Sequence, residues 1–211
     1  MSPAVIILPA QFKGPTLSKV AADVINCASS DGLPGELMFD FSKLGFIRPA
    51  GVVFLSNLLW WLHHKGTKVE LTGLAKLTAP LKFLDDSLFF EQHTGKKLHD
   101  FASPRSTTRP LVRIAHKDSH AWLETNLVPW LAVRLGIPEA SIYKFRVCVS
   151  ELFNNIQDHT ELEIGSIFVQ HFPQERTVTI SVSDFGPGIP KKIREKVPEI
   201  SDADAIIEAV R

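Results

Sequence analysis

Cysteine is scarce in this sequence, and charge of one sign is not in excess. Cys27 and Cys148 are the only cysteines among 211 residues, which excludes a disulfide-stapled secreted scaffold. Their separation and apolar helical surroundings predict two reduced thiols in the core. Lysine plus arginine and aspartate plus glutamate each number 23, so no overall field attracts nucleic acid or an anionic membrane surface.

Long apolar runs and an export signal are lacking as well. The longest apolar run, residues 52–62, is interrupted by Ser56 and Asn57 and is too short to span a bilayer. The first residues lack a cationic start followed by an apolar stretch, so we expect no signal peptide and a cytoplasmic location.

A substantial core is present. Apolar residues make up 45% of the chain, and phenylalanine (14) far outnumbers tyrosine (1). In the first half, apolar strand patterns alternate with helical ones, which predicts a mostly parallel sheet with helical crossovers. The expected strands are 5–8, 36–41 and 68–71, and the expected helices are 16–28, 49–64 and 80–90. The continuous run 5–8 predicts a strand buried on both faces.

The stretch 37–74 (LMFDFSKLGFIRPAGVVFLSNLLWWLHHKGTKVELTGL) resembles a STAS domain, the fold of bacterial anti-sigma-factor antagonists. In that family a strand ends in a loop that leads into a helix, and the resemblance implies a phosphorylated serine at the start of this helix. The phosphate there faces the positive end of the helix dipole. Ala50 stands at that position and has no hydroxyl. We therefore expect residues 1–95 to form a degenerate STAS-like α/β domain that is structural or docks a partner; a ligand-binding role is the alternative.

Residues 96–110 are predicted to be a linker, because glycine, serine, proline and basic residues replace apolar periodicity there. The segment carries Lys96, Lys97, Arg105 and Arg109. A solvated connector is the default interpretation, and help in binding an anion is the alternative.

The second half is expected to combine three helices with three strands, the last two of which form a hairpin. A strand is expected at 111–115, a helix at 119–135 ending at Gly136, and a helix opened by Pro138. The buried stripe of that second helix is then expected to contain Ile142, Phe145, Val149, Leu152, Phe153 and Ile156. The strands are predicted at 164–172 and 176–184, joined by the turn 173–175. Residues 202–210 are expected to form a last helix capped by Ser201.

A polar line runs beside that apolar stripe in the segment 150–159 (SELFNNIQDH). Helical spacing groups Glu151, Asn155, Asp158 and His159 on one side of the helix. Amide and carboxylate oxygens at this spacing suit Mg²⁺. The plain alternatives are solvated acids and a satisfied amide.

A glycine-rich turn follows the last strand, at residues 184–190 (DFGPGIP). The carboxylate of Asp184 can accept a hydrogen bond from an exocyclic amine. Gly186 and Gly188, followed by Ile189, let the backbone approach a flat base closely.

Together these two motifs resemble the N box and the first glycine box of GHKL (Bergerat-fold) ATPases, and SELFNNIQDHT is most similar to the anti-sigma-factor serine kinases. The resemblance covers roughly residues 105–211, with the ATP-binding domain expected at 111–211, and it implies that the pocket takes ATP and Mg²⁺. Asn155 would be the metal ligand, and Glu151 would be the general base. Asp184, Gly186, Gly188 and Ile189 would hold adenine, and Asp158 and His159 would also bind the nucleotide.

The family continues into a lid and a second glycine-rich box, whereas no further Gly-x-Gly occurs up to Arg211. The expected Bergerat-type domain is therefore incomplete, and it should bind the adenosine end better than the triphosphate. The resemblance implies a two-domain α/β regulatory protein whose ATP pocket controls partner binding or phosphoryl transfer to a protein serine. The alternative is a non-catalytic scaffold built from degenerate STAS and GHKL domains. A sigma factor or a STAS-type antagonist would be the protein partner, and GHKL domains often form homodimers.

Overall fold

The computed structural model describes residues 3–30 and 32–209 and has a mixed α/β fold. The strands are β1 (Ala4–Ile7), β2 (Gln11–Phe12), β3 (Glu36–Asp40), β4 (Phe46–Ile47), β5 (Lys68–Thr72), β6 (Thr108–Ala115), β7 (Ile164–Phe172) and β8 (Thr177–Ser183). They form a parallel sheet of order β1-β3-β5, a small parallel pair β2-β4 and an antiparallel sheet of order β6-β7-β8. The α-helices are α1 (Pro15–Asn26), α2 (Pro49–His64), α3 (Ala79–Asp86), α4 (Phe89–Thr94), α5 (His116–Trp122), α6 (Val128–Leu135), α7 (Tyr143–His159), α8 (Ile189–Arg194) and α9 (Asp202–Glu208).

The first half of the chain forms the parallel sheet that the alternating pattern predicts. The prediction that strand 5–8 is buried on both faces is wrong, because Val5 is 51% and Ile7 46% exposed. Strand β1 lies at the edge of the sheet. Only its Ile6 side joins the core, together with Leu37 and Phe39, so the sheet is covered on one face.

Helix α2 is a buried layer between the two main sheets. It begins at Pro49, as predicted, and contacts β5 on one side and both β7 and β8 on the other. An α-helix enclosed in this way is apolar around most of its circumference. Its buried residues are Pro49, Gly51, Val52, Val53, Leu55, Ser56, Asn57, Leu59 and Leu62.

The antiparallel sheet has one core on each face. Ile167 and Val169 of β7 pack with the core of α5–α7. Phe168, between them, is fully buried in the core of α2 and the parallel sheet, where its ring meets Phe83 edge-on at 6.0 Å. Leu111 of β6 joins the same core. The first and second halves of the chain therefore share buried apolar side chains.

The helix predicted at 119–135 is interrupted in the middle. Residues Leu123–Leu127 form a π-helical turn between α5 and α6. Pro129 lies just after this turn; it has no N–H to donate, and its ring displaces the carbonyl one turn earlier, which widens the helix locally. Gly136 ends α6 in the left-handed region at φ 65°, as predicted.

Helix α7 covers the sheet along a narrower stripe than the sequence predicts. Val149, Phe153 and Ile156 are buried, whereas Phe145 and Leu152 are 50% and 45% exposed, so their expected burial is wrong. Both lie at the edge of the stripe, because each residue advances about 100° around the helix. The same helix presents Cys148 at the surface, which corrects the expected core thiol.

Local hydrogen bonds fix the chain near the start and near the end of the second half. The Asp85 carboxylate accepts the N–H groups of Leu98 and His99 at 2.9 and 3.0 Å, which fixes the segment between α4 and β6. Ser201 caps α9 by accepting the Asp204 N–H at 3.1 Å, as predicted; Val210, the expected last residue of this helix, lies outside the described residues.

Candidate functional site

Helix α7 approaches strand β7 closely at Gly165. A Cβ on Gly165 would lie 2.7 Å from Ile156 Cδ1 and 2.8 Å from Phe153 Cε1, much closer than carbon atoms normally approach. Glycine therefore lets the C-terminal end of α7 lie directly on the sheet. This packing brings the end of the helix beside the end of β8.

The segment 184–188 turns sharply after β8. The Asp184 Oδ1 atom accepts the N–H of Gly186 at 2.6 Å, a local bond by which an aspartate side chain stabilises a turn. A Cβ on Gly186 would lie 2.8 Å from Thr160 Cγ2 and 3.3 Å from the His159 carbonyl oxygen. The turn therefore touches the end of α7 through its backbone.

A cavity of about 530 Å³ lies between the end of α7, the turn 184–188 and α8. This volume is in the range of small-molecule sites. Six of the eight residues that the sequence predicts for a site line it: Asn155, His159, Asp184, Gly186, Gly188 and Ile189. The two motifs, about 30 residues apart in the sequence, thus converge on one concave surface.

The two other predicted residues do not line this cavity. Glu151 and Asp158 are exposed on α7. Each residue advances about 100° around an α-helix. Glu151, four residues before Asn155, is therefore rotated from it by about 40°, and Asp158, one residue before His159, by about 100°. Glu151 Oε1 accepts a long hydrogen bond of 3.4 Å from Asn154 Nδ2.

Several lining residues were not predicted from the sequence. Thr160 is 9% exposed, and its hydroxyl accepts the Glu163 N–H at 3.1 Å. Lys192 of α8 brings a cation to the cavity, and Ser183 ends β8 there. Lys192 follows the glycine turn by four residues, and a basic residue so soon after a predicted site was the available signal. Apolar lining comes from Leu152, Ile156, Val182, Ile193 and Ala209.

The cavity is lined by both polar and apolar residues, and its lining includes no protein-only metal site. Among residues 3–30 and 32–209, no group of three histidine, cysteine, aspartate or glutamate side chains is placed to hold a metal ion. Mg²⁺ is usually held by one or two protein oxygens together with water and substrate phosphates. The Asn155 side chain fits that smaller protein contribution.

The turn is supported from behind by α2. The Asn57 Oδ1 atom accepts the buried hydroxyl of Ser166 at 2.6 Å, and its Nδ2 donates to Ser183 Oγ at 3.1 Å and to the Asp184 carbonyl at 3.4 Å. The Trp60 ring lies 4.3 Å from the ring of Phe185, centroid to centroid. Helix α2 therefore contacts the backbone and the side chain next to the Asp184 carboxylate.

Comparison with known proteins returned no match: no family model, no curated protein and no solved structure resembles the chain significantly. Within the part of the chain that the structure describes, no helix has the length and apolar character needed to cross a membrane.

Proposed function

We propose that the chain binds an adenine nucleotide in the cavity between α7 and the turn 184–188, and that it is a regulatory ATP-binding protein related to the anti-sigma-factor serine kinases. The observation that supports this proposal is the convergence of Asn155, His159, Asp184, Gly186 and Gly188 on one cavity. These residues come from two motifs that the GHKL resemblance identifies independently of their positions in space.

The chemistry of the lining suits the base. One oxygen of the Asp184 carboxylate holds the Gly186 N–H, and a carboxylate has further lone pairs with which it can accept a purine amine. Gly186 and Gly188 carry no side chain over the turn, so a flat ring can lie against the backbone. Leu152, Ile156 and Val182 offer apolar contacts for its faces.

In this proposal, the phosphates are bound by Asn155, His159 and Lys192. Lys192 would supply a positive charge, and Asn155 would be the protein ligand of a Mg²⁺ ion that neutralises part of the phosphate charge. Glu151, the proposed general base, is exposed about one helical turn before Asn155. The proposal therefore assigns binding to the cavity and turnover to a side chain outside its lining.

The first half would then be a STAS-like domain that connects nucleotide state to a protein partner such as a sigma factor or a STAS-type antagonist. Ala50 is exposed at the start of α2 and offers no hydroxyl for phosphorylation. A phosphoacceptor serine would thus belong to another molecule.

A second candidate function is a non-catalytic scaffold for protein interactions. Two observations favour it: Glu151 lies outside the cavity lining, and Ala50 replaces the serine of the STAS family. The two candidates share the fold and differ in ATP turnover.

Calorimetric titration with ATP, ADP and adenosine, each with and without Mg²⁺, tests the pocket. We expect Asp184→Asn to weaken all three ligands and Asn155→Ala to weaken only the Mg²⁺-dependent gain of ATP over adenosine. Asp100→Asn and Gln157→Ala are matched controls, since both residues are exposed and outside the lining.

The outcomes separate the two functions. Binding of none of the three ligands contradicts the nucleotide pocket and leaves the scaffold. Binding together with ATP hydrolysis that Glu151→Gln abolishes supports an enzyme, whereas binding without hydrolysis, in the presence of a serine-bearing STAS protein, supports a nucleotide-controlled scaffold.

A further inference from the structure

A second and larger cavity, of about 680 Å³, lies on the opposite side of the antiparallel sheet. It is bounded by α2, β5, the segment 92–98 and β6. Buried or half-buried apolar side chains, among them Leu59, Trp60 and Leu71, line it together with the guanidinium-bearing Arg113. The neighbours of Arg113 on β6, Val112 and Ile114, pack with the other core, which places this cavity on the α2 side of the sheet.

Arg113 is half-buried and has no carboxylate partner among the described residues. Its Nη2 atom donates to Ser56 Oγ at 2.8 Å, and its Nε atom is buried without a hydrogen-bond partner in the part of the chain that the structure describes. None of the ion pairs between described residues includes Arg113. Burial lowers the pKa of this guanidinium. A cation that is partly removed from water without an anion beside it is destabilised, and a bound anion would offset that cost.

His93, beside Arg113, is held in its neutral form. The Ser56 hydroxyl accepts from Arg113 and lies 2.9 Å from His93 Nε2. When that hydroxyl donates to Nε2, the ring proton is on Nδ1. Burial, and then the charge of Arg113, lower the pKa of His93 to about 4. Burial is the larger of these two causes; the smaller one, the charge of Arg113, is the one that also favours a bound anion.

The rim of the cavity adds to the same potential. Lys96 and Lys97 are exposed there, and Lys97 Nζ donates to the Ala102 carbonyl at 3.0 Å. With Arg113 they make three cations against one carboxylate in the lining, that of Glu70. The chain as a whole carries no net charge, so this excess is local.

We propose that this cavity binds a small organic anion, in which a carboxylate or phosphate group meets Arg113 and the rim lysines and an apolar body lies against Trp60 and Leu59. An arginine donates several parallel N–H groups, which suits both oxyanions. The rings of His64 and Phe185 lie against the Trp60 indole, with centroids at 3.5 and 4.3 Å. An aromatic body therefore suits the edge of the indole and the leucine floor. This site is separate from the proposed nucleotide pocket and does not depend on it.

Benzoate, phenyl phosphate and inorganic phosphate are the probes, and benzamide is the uncharged analogue of benzoate. We expect calorimetry to show saturable binding of at least one aromatic anion below about 10 mM, and benzamide to bind about tenfold more weakly or not at all. With ¹⁵N-labelled histidine, the pKa of His93 should rise when the anion is bound, because its charge offsets that of Arg113.

Variants locate the site. Arg113→Gln should weaken binding about tenfold or more, and Lys96→Gln, on an exposed segment where folding is not at risk, about threefold. Lys82→Gln removes an equally exposed lysine outside the cavity and should change nothing. Asp184→Asn should also leave the binding of these anions unchanged, which separates this cavity from the nucleotide pocket.

Three results would overturn the proposal. The first is that none of the probes binds saturably. The second is that binding is the same in wild-type, Arg113→Gln and Lys96→Gln protein. The third is that inorganic phosphate binds as tightly as phenyl phosphate, because the apolar part of the cavity would then have no ligand to hold.

Discussion

The buried amide of Asn57 gives the sharpest test of how the two sheets are joined. Asn57 is 7% exposed and Ser166 is fully buried. The amide accepts from Ser166 at 2.6 Å and donates to Ser183 at 3.1 Å. Asn57→Ala removes both bonds, together with the longer one of 3.4 Å to the Asp184 carbonyl, and leaves the Ser166 hydroxyl in an apolar core without a partner.

The magnitude follows from those contacts. Two hydrogen bonds are each worth about 1 kcal/mol net, and a buried hydroxyl left unpaired costs about 1 to 3 kcal/mol, part of which is already counted in the lost bond. We therefore expect Asn57→Ala to lower the free energy of unfolding by about 2 to 4 kcal/mol. Urea denaturation followed by tryptophan fluorescence and by circular dichroism measures this difference.

A double-mutant cycle separates the hydrogen bond from the lost volume. Because Ser166→Ala removes the unpaired hydroxyl, the double variant Asn57→Ala/Ser166→Ala should be more stable than the sum of the single effects by about 1 to 2 kcal/mol. Asn26→Ala, at an exposed position, should stay within about 0.5 kcal/mol of wild type. A loss below about 1 kcal/mol for Asn57→Ala, or additive effects in the cycle, would refute the reasoning.

Three further predictions concern the histidine and the proposed nucleotide pocket. Burial lowers the pKa of His93 from 6.5 to about 4, so between these pH values the unfolded chain binds a proton that the native state does not. The free energy of unfolding should therefore fall as the pH is lowered from 6.5 towards 4, by about 3 kcal/mol in total. Urea titrations of wild-type and His93→Gln protein across this range should diverge, and parallel curves would contradict the burial argument. Gly186→Ala places a Cβ 2.8 Å from Thr160 Cγ2 and should weaken adenosine binding about tenfold or more, whereas Gly35→Ala, which has open space around it, should leave calorimetric affinity unchanged. Lys192→Ala should weaken ATP about fivefold and adenosine hardly at all; equal losses for both ligands would place the lysine away from the phosphates.

Several features of the fold could be predicted from short stretches of sequence. The start of α2 at Pro49, the left-handed end of α6 at Gly136 and the Ser201 cap of α9 follow from chemistry within a few residues, which is why they could be predicted. Convergence of Asn155 and Asp184 on one cavity was expected only through the GHKL resemblance. Their roles in binding ATP and Mg²⁺ stay predictions.

The features that could not be predicted from the sequence depend on which distant part of the chain packs against a residue. A continuous apolar run does not reveal whether a second layer covers a strand, so the exposure of Val5 and Ile7 followed from the open face of the parallel sheet. The polar side of β8 gave no sign that Asn57, 126 residues away from Ser183 in the sequence, would bind it. Arg113 likewise shows its unpaired burial only once α2 packs against the antiparallel sheet.

The position of α2 between two sheets has a consequence for synthesis on the ribosome. Helix α2 ends at His64 and β7 begins at Ile164, 100 residues later. At elongation rates of about 5 to 20 residues per second, the side of α2 that β7 and β8 cover in the native structure stays uncovered for about 5 to 20 s. That surface contains Ser56 and Asn57, whose polar groups make premature apolar contacts costly. The same two residues that join the finished layers are thus expected to disfavour wrong apolar contacts of the nascent chain while one of those layers is still missing.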